Sequence, residues 1–364
     1  MLLGDVAGGR NNNFTLIRML AATGVLVSHA FPMALGEGTP EPFELATGYT
    51  LGWVCVAIFF AISGFLIARS FDRTARIEDW FSARVMRLFP GLIVVSILTL
   101  AIYGPVFTTL SLGEYFASPR TWTYVPRNVT LVSLQYDLPG VFADHPVPRA
   151  INGSLWTLVH EVACYVGVLL AGVLGALRSK KVFAVLCAIY FIAFAITALP
   201  AVADSLPYKL AAFRKLSFPF LLGTMFYVWS DRLRLDWVSA LALAAATVLL
   251  HGTVLFEIFF VTAIAYGTFV LAYRPGGWLR RYNDLGDYSY GMYVFAFPVQ
   301  QAAIELAGPM SPLTNMVMAL PVTLLLAVLS WYIVEQPSLT RRHHLARLLG
   351  RLRRDSPEVA SEKV

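Results

Sequence analysis

FTLIRMLAATGVLVSHAFPMAL, residues 14–35, decides how this chain is read. The run is apolar and helix-length, yet it holds an arginine, Arg18, and a histidine, His29. Eleven residues at about 100° each return the two side chains to nearly one helix face, about 16 Å apart along the axis. A charge inside a membrane-length helix costs at least about 2.5–3.5 kcal/mol, so such a residue faces a wet interior or a partner and marks function. The run is long and no small-residue cleavage site follows it, so it reads as a retained first span rather than a signal peptide.

Outward from this stretch the composition points the same way. Of 364 residues, 57% are hydrophobic and 14% charged, with a mean hydropathy of +0.65, which places the chain among polytopic membrane proteins. Cys55, Cys164 and Cys187 all fall in apolar runs and read as small buried thiols without a disulfide framework. Runs near 20 residues predict ten helices, at 14–35, 49–70, 83–103, 154–177, 182–199, 214–230, 236–251, 254–273, 287–306 and 315–335.

Basic residues then set the expected topology. With the N-terminus inside, 21 of the 28 lysines and arginines fall in cytoplasmic segments, against six outside in 104–153 and around Lys209, Arg214 and Lys215. The predicted fold is all-α, with about ten transmembrane helices and both termini cytoplasmic. Residues 1–340 form one integral membrane domain, which includes a proline-rich extracytoplasmic loop at 104–153, and 341–364 form a basic cytoplasmic tail. The basic balance is met by anionic lipid headgroups and calls for no nucleic acid.

Depth along the helices pairs the ionisable residues. His29 lies about 22 Å from the cytoplasmic end of its helix, and Glu161 about 10 Å below the outer start of the fourth. In INGSLWTLVHEVACY, residues 151–165, Ser154, Thr157, Glu161 and Tyr165 share one stripe while His160 is turned about 100° away. A carboxylate beside an imidazole at equal depth suits a general base that activates a hydroxyl; it also suits a structural tie between two helices. Arg69, Arg84 and Arg87 cluster where the second and third helices meet the cytoplasm, in FFAISGFLIARS and FSARVMRLFPGL. Arginines grip phosphates bidentately, although the positive-inside rule alone also places them there. Ser63 and Gly64 inside the second helix suit close packing more than nucleophilic chemistry. In the ninth helix, Tyr290, Tyr293 and Phe297 form an aromatic stripe, and Glu335 ends the last helix as a partner for nearby arginines or a residue reaching the interface. No metal-ligand spacing, P-loop, GxSxG elbow or dinucleotide fingerprint is present.

These segments together carry a resemblance. Arg-x10-His in the first helix, FFxISGFL in the second, RxxRLxP opening the third, NGSLWTLxxE opening the fourth, SYGMY in the ninth and a terminal VExP resemble the acyltransferase 3 family of membrane O-acyltransferases. The resemblance implies about ten spans and transfer of acetyl or similar acyl groups from cytosolic acyl-CoA to extracytoplasmic glycans. It maps His29 and Arg18 onto the family's essential pair, Arg84 and Arg87 onto its donor-side arginines, and Glu161 onto the acidic residue of the SLW segment. Relatives commonly carry a histidine in the ninth helix where this chain has Ala296, and some add a C-terminal esterase-like domain for which the chain leaves no room.

The expected site follows. His29, Glu161 and Arg18 are the catalytic candidates. Arg18, Arg69, Arg84, Arg87 and Ser63 are assigned to acyl-CoA, and Asn152, Ser154, Trp156 and Thr157 to a saccharide acceptor. Acetyl-CoA or another acyl-CoA serves as co-substrate; no tightly bound cofactor and no metal are expected. The location is a bacterial cytoplasmic membrane. A transporter of an organic acid or a lipid-linked sugar is the competing class, opposed by the missing repeat symmetry and the absence of paired Gly/Pro-broken helices.

Overall fold

The computed structural model describes residues 1–9 and 11–354. Arg10 and the tail beyond 354, which the sequence assigns to the cytoplasmic side, lie outside the described residues. The described residues form helices and no β-strand, with two isolated bridges, Leu2 to Arg234 and Thr108 to Val141.

Each predicted stretch folds as a helix. They are α1 Phe14–Leu35, α2 Leu51–Arg73, α3 Ile77–Leu98, α4 Trp156–Val173, α5 Lys180–Ile196, α6 Tyr208–Val228, α7 Trp237–Leu249, α8 Phe256–Tyr273, α9 Ser289–Ala307 and α10 Pro312–Ser330. Among the described residues, six segments are long and apolar enough to cross a membrane: Phe14–Leu35, Leu51–Arg73, Ile77–Phe107, Gly153–Val173, Phe256–Tyr273 and Pro312–Arg351. The protein is thus an integral membrane protein in fold. Of the other helices, α5 and α7 have 17 and 13 residues, short of the roughly 20 that a full crossing takes. α6 opens with Lys209, Arg214 and Lys215, and α9 carries Gln300, Gln301 and Glu305. α3 starts six residues earlier than its apolar run, because Glu78 and Asp79 in the first turn suit a helix N-terminus.

The chain divides into two compact units. The first comprises Met1–His29, Pro40–Asp72 and Trp156–Ser289. Its core gathers Phe14, Phe65, Phe218, Phe269 and Tyr273, with Phe65 and Phe269 edge to face at 4.9 Å. Asn13 anchors the start of α1 to the end of α8 by donating to the Leu271 and Pro275 carbonyls at 3.1 and 3.0 Å. α2 and α6 cross closely at two glycines. A Cβ on Gly64 would stand 1.9 Å from the Phe220 carbonyl oxygen, and one on Gly223 1.9 Å from that of Ala61. Gly64 thus packs helices, as the small-residue reading expects.

The second unit comprises Ala30–Thr39, Arg73–Leu155 and the chain from Tyr290 on. The stretch read as one long loop folds into short helices at Gly104–Phe107, Leu112–Ala117 and Pro119–Thr130. They start where capping dictates: Ser111 and Glu114 form a capping box, and Pro119 takes the first helical position. Tyr115, Tyr124, Leu138, Phe142 and Ile151 give this region its own core. α3 and α10 both run on into π-helical turns, Thr99–Tyr103 and Trp331–Glu335. The tail helix α11, Arg342–Arg354, packs along α3.

Candidate active site

The first unit holds the predicted catalytic residues. Arg18 on α1 donates from Nη1 to Asp287 Oδ2 at 2.6 Å, and its guanidinium stands 5.8 Å from the centre of the Phe59 ring. Both partners are about one-fifth exposed, at 22% and 17%. Asp287 just precedes α9 and is fixed in turn by the Ser289 hydroxyl at 2.5 Å and the Ser289 N–H at 3.3 Å. A charge-assisted bond this short holds the guanidinium in one orientation. His29 lies three turns further along α1, half-buried, with its Nδ1 edge fully buried.

Glu161, in the second turn of α4, is also half-buried. One carboxylate oxygen, Oε1, accepts from the Ser63 hydroxyl of α2 at 3.1 Å and from the Tyr165 hydroxyl at 2.5 Å. The Glu161 carboxylate is thus held by hydroxyls of α2 and of its own helix. Tyr165 follows Glu161 by one turn on the same stripe and reaches back to it, which is the i, i+4 neighbour relation of a helix surface. Ser63 therefore serves the carboxylate, while its neighbour Gly64 packs. His160 is buried against Trp156 and Phe213, with ring centroids 5.7 and 6.1 Å away. Arg69 reaches the Gly8 carbonyl in a long contact of 3.5 Å.

The second unit holds the other two arginines. Arg87 Nη1 lies 3.6 Å from Glu335 Oε2, and the guanidinium stands 5.9 Å from the centre of the Tyr290 ring. Glu335 is 1% exposed and accepts from the Ser330 hydroxyl at 2.9 Å. The π-helical turn Trp331–Glu335 ends on this carboxylate, an irregularity frequent at functional positions. Tyr290 donates to the Leu88 carbonyl at 2.7 Å. Of the two roles open to Glu335, the structure shows the arginine partner. Arg84 is half-buried one turn before Arg87.

Two of the predicted acceptor residues act as ties. Asn152 donates to the Val294 carbonyl at 2.9 Å, and the Ser154 carbonyl accepts from Tyr293 at 2.8 Å. Gln301 donates to the carbonyls of Val147 and Ala150 at 2.8 and 2.7 Å. His145 sits between Gln301 Oε1 at 2.8 Å and Glu305 Oε2 at 2.6 Å. Tyr293, Gln301 and Glu305 recur at multiples of four and thus form one stripe of α9. That stripe fastens the segment leading into α4. Thr157 is buried and Trp156 half-buried at the start of α4.

A family model described as an acyltransferase domain, acyltransferase 3, matches residues 11–334. The chain belongs to the acyltransferase 3 family. It is an acyltransferase, and the match takes in α1 to α10 with every predicted site residue. It is similar to the O-acetyl transferase of Shigella phage Sf6, 32% identical over 339 residues, which cover 91% of this chain and 97% of that protein. It is also similar to nodulation protein 10 of Rhizobium leguminosarum bv. viciae, 33% identical over 174 residues, covering 44% of this chain and 43% of that one. No solved structure matches the chain.

In this acyltransferase, sequence reasoning missed three residues that hold the motifs in place. Asp287 carries a signal only in hindsight, as an acid beside the SYGMY segment. Gln301 and Glu305 carry one in their spacing from Tyr293, since a polar continuation of an aromatic stripe needs buried partners. Ala296, at the position of the relatives' histidine, is fully buried; on this acyltransferase α9 is a clamp.

Proposed function

We propose that this acyltransferase moves an acetyl or similar short acyl group from acyl-CoA to a hydroxyl of a cell-surface or lipid-linked saccharide. It works in a bacterial cytoplasmic membrane, with about ten helices in the membrane and both termini cytoplasmic; the distribution of 21 basic residues supports that orientation. The O-acetyl transferase relative, aligned over nearly its whole length, supports O-acetyl transfer.

The observation that carries the mechanism is the placing of three ionisable side chains, Arg18, His29 and Glu161, on apolar helices of one unit. His29 is assigned as general base: it takes the proton of the acceptor hydroxyl as that oxygen attacks the thioester carbonyl. The carbon–sulfur bond breaks, and the departing thiolate takes that proton from His29 to leave as CoA, which returns the imidazole to its neutral form. Arg18 binds the donor's phosphates, with Arg69 of the same unit assigned to the same anionic molecule by its chemistry. The rise of about 16 Å between Arg18 and His29 is comparable to an extended pantetheine arm, so α1 spans phosphate to thioester. Glu161, held by Ser63 and Tyr165, supplies a fixed negative potential near α4's start that favours a cationic imidazole. Thr157 and Trp156 are assigned to the acceptor.

The test uses the purified full-length protein in detergent, where no gradient can drive transport. With acetyl-CoA and a lipid-linked saccharide it is expected to release CoA and acetylate the saccharide, and His29→Ala is expected to lose both. Normal turnover by the His29→Ala protein overturns the assignment.

A further inference from the structure

One aromatic cluster of the first unit lies outside every family motif. Tyr49 stands two residues before α2 and Trp53 in its first turn, while Phe256 and Phe260 are successive turns at the start of α8. Phe256, Phe260 and Trp53 form a row of nearly parallel rings, with centroids 5.3 and 6.1 Å apart and planes within 11° and 15°. Tyr49 tilts across the row at 4.5 Å from Trp53 and 5.3 Å from Phe260. All four rings are half-buried.

Polar groups converge on the same place. Glu257, next to Phe256, is forked with Arg214 of α6 through contacts of 3.2 and 3.3 Å, and the Arg214 guanidinium lies 3.8 Å from the centre of the Phe194 ring. Burial pushes the Tyr49 hydroxyl up to about 12, with Glu257 adding to the rise and Arg214 opposing it. Both charges therefore act at this ring, and its hydroxyl stays a donor. Trp53 Nε1 is buried and makes no hydrogen bond among the described residues, which leaves a costly open donor.

The cluster lies near the height of His29. A Cβ on Gly52 would stand 2.9 Å from Ser28 Oγ, and one on Gly24 2.5 Å from Cys55 Sγ. This fixes the antiparallel register of α1 against α2 and puts Trp53 within about one helical turn of the height of His29.

We propose that Tyr49, Trp53, Phe256 and Phe260, with Glu257, form the subsite that binds a pyranose ring of the acceptor. The proposal rests on the saccharide acceptor of the function above. A pyranose offers a face of weakly positive C–H groups, which the negative face of an aromatic ring attracts, and a rim of hydroxyls. Here the rings supply the face, Glu257 has lone pairs left to accept, and Tyr49 Oη donates. Binding sites are mostly apolar walls with a few such polar groups. An interfacial aromatic belt would need neither the forked carboxylate nor a buried open N–H.

The test footprints the full-length protein in detergent by hydroxyl-radical oxidation and mass spectrometry. The probes are methyl glucoside, methyl rhamnoside and methyl N-acetylglucosaminide, each also offered as an acceptor with acetyl-CoA. The expected result is protection of Tyr49, Trp53, Phe256 and Phe260 by at least one pyranoside. Trp53→Ala should raise the KM of that pyranoside at least tenfold with the donor KM unchanged, and Trp53→Phe should fall between. Protection without transfer supports the subsite and counts against the acyl-transfer reading. Transfer without protection at these rings, or with wild-type acceptor KM in Trp53→Ala and Glu257→Gln, overturns the subsite and leaves the acyl-transfer reading standing. Neither protection nor transfer overturns both.

Discussion

Each unit fastens one motif arginine to a carboxylate from far along the chain, and the two pairs are built differently. Arg18 and Asp287 meet at 2.6 Å with both side chains partly exposed; Arg87 and Glu335 stand 3.6 Å apart with the carboxylate 1% exposed. Burying Glu335 strips it of water, and Arg87 and Ser330 help to keep its charge tolerable. Asp287 is 17% exposed and keeps its bonds from Ser289, so losing Arg18 leaves it less stripped of partners than Glu335 would be. The difference predicts that loss of the Arg87 pair is felt first in stability and loss of the Arg18 pair first in donor binding.

The largest expected effect breaks the buried pair. Arg87→Ala removes a countercharge from the buried Glu335 and is expected to destabilise by about 3 kcal/mol, read as a loss of thermal stability in detergent. Adding Glu335→Gln to that variant should restore a substantial part; equal melting of the single and double variants would refute the structural role.

The exposed pair should respond in activity instead. Arg18→Ala is expected to cost about 1 kcal/mol or less in stability while the donor KM rises steeply. Asp287→Asn removes the competitor for Arg18 and should lower the donor KM about fivefold, which corresponds to about 1 kcal/mol. A donor KM unchanged in Asp287→Asn would show that Arg18 does not exchange partners. Between the two pairs stands Glu161, whose partners are hydroxyls. Tyr165→Phe removes one of its hydrogen bonds and is expected to cost about 1 kcal/mol in stability, with kcat falling while both KM values hold.

The smallest effect is on a third arginine–carboxylate pair, on the surface. Arg120 forks onto Asp137 at 2.7 and 2.6 Å, and that hydrogen bond holds the Asp137 carboxyl below the usual carboxylate range against the opposing effect of burial. A lowered folded value means that the pair's contribution is full above about 3.9, the ordinary value, and fades as pH falls through the depressed one. Proteolysis of residues 108–153 should therefore quicken modestly below about pH 4 in the wild type and depend less on pH in Arg120→Ala.

How far the sequence reaches can be judged residue by residue. The span 14–35 was legible to its ends, because an apolar run bounded by asparagines and a Gly-Glu-Gly turn has one natural length in a membrane. The start of α3 was not, since IEDWFS is too polar for a hydropathy window although its acids suit a helix N-terminus. The helices within 104–153 escaped for a related reason. Their signals are caps and prolines over four to twelve residues, too short for periodicity.

The site divides along the same line. By itself the sequence determined which residues are expensive to bury, Arg18, His29 and Glu161, and roughly how deep each lies, because helix rise and hydropathy are local properties. Only the tertiary structure decided what stabilises two of them. Asp287 is 269 positions from Arg18, and Ser63 is 98 from Glu161. Neither separation leaves a periodic trace, because hydrogen bonds between helices depend on how the helices pack and turn about their axes.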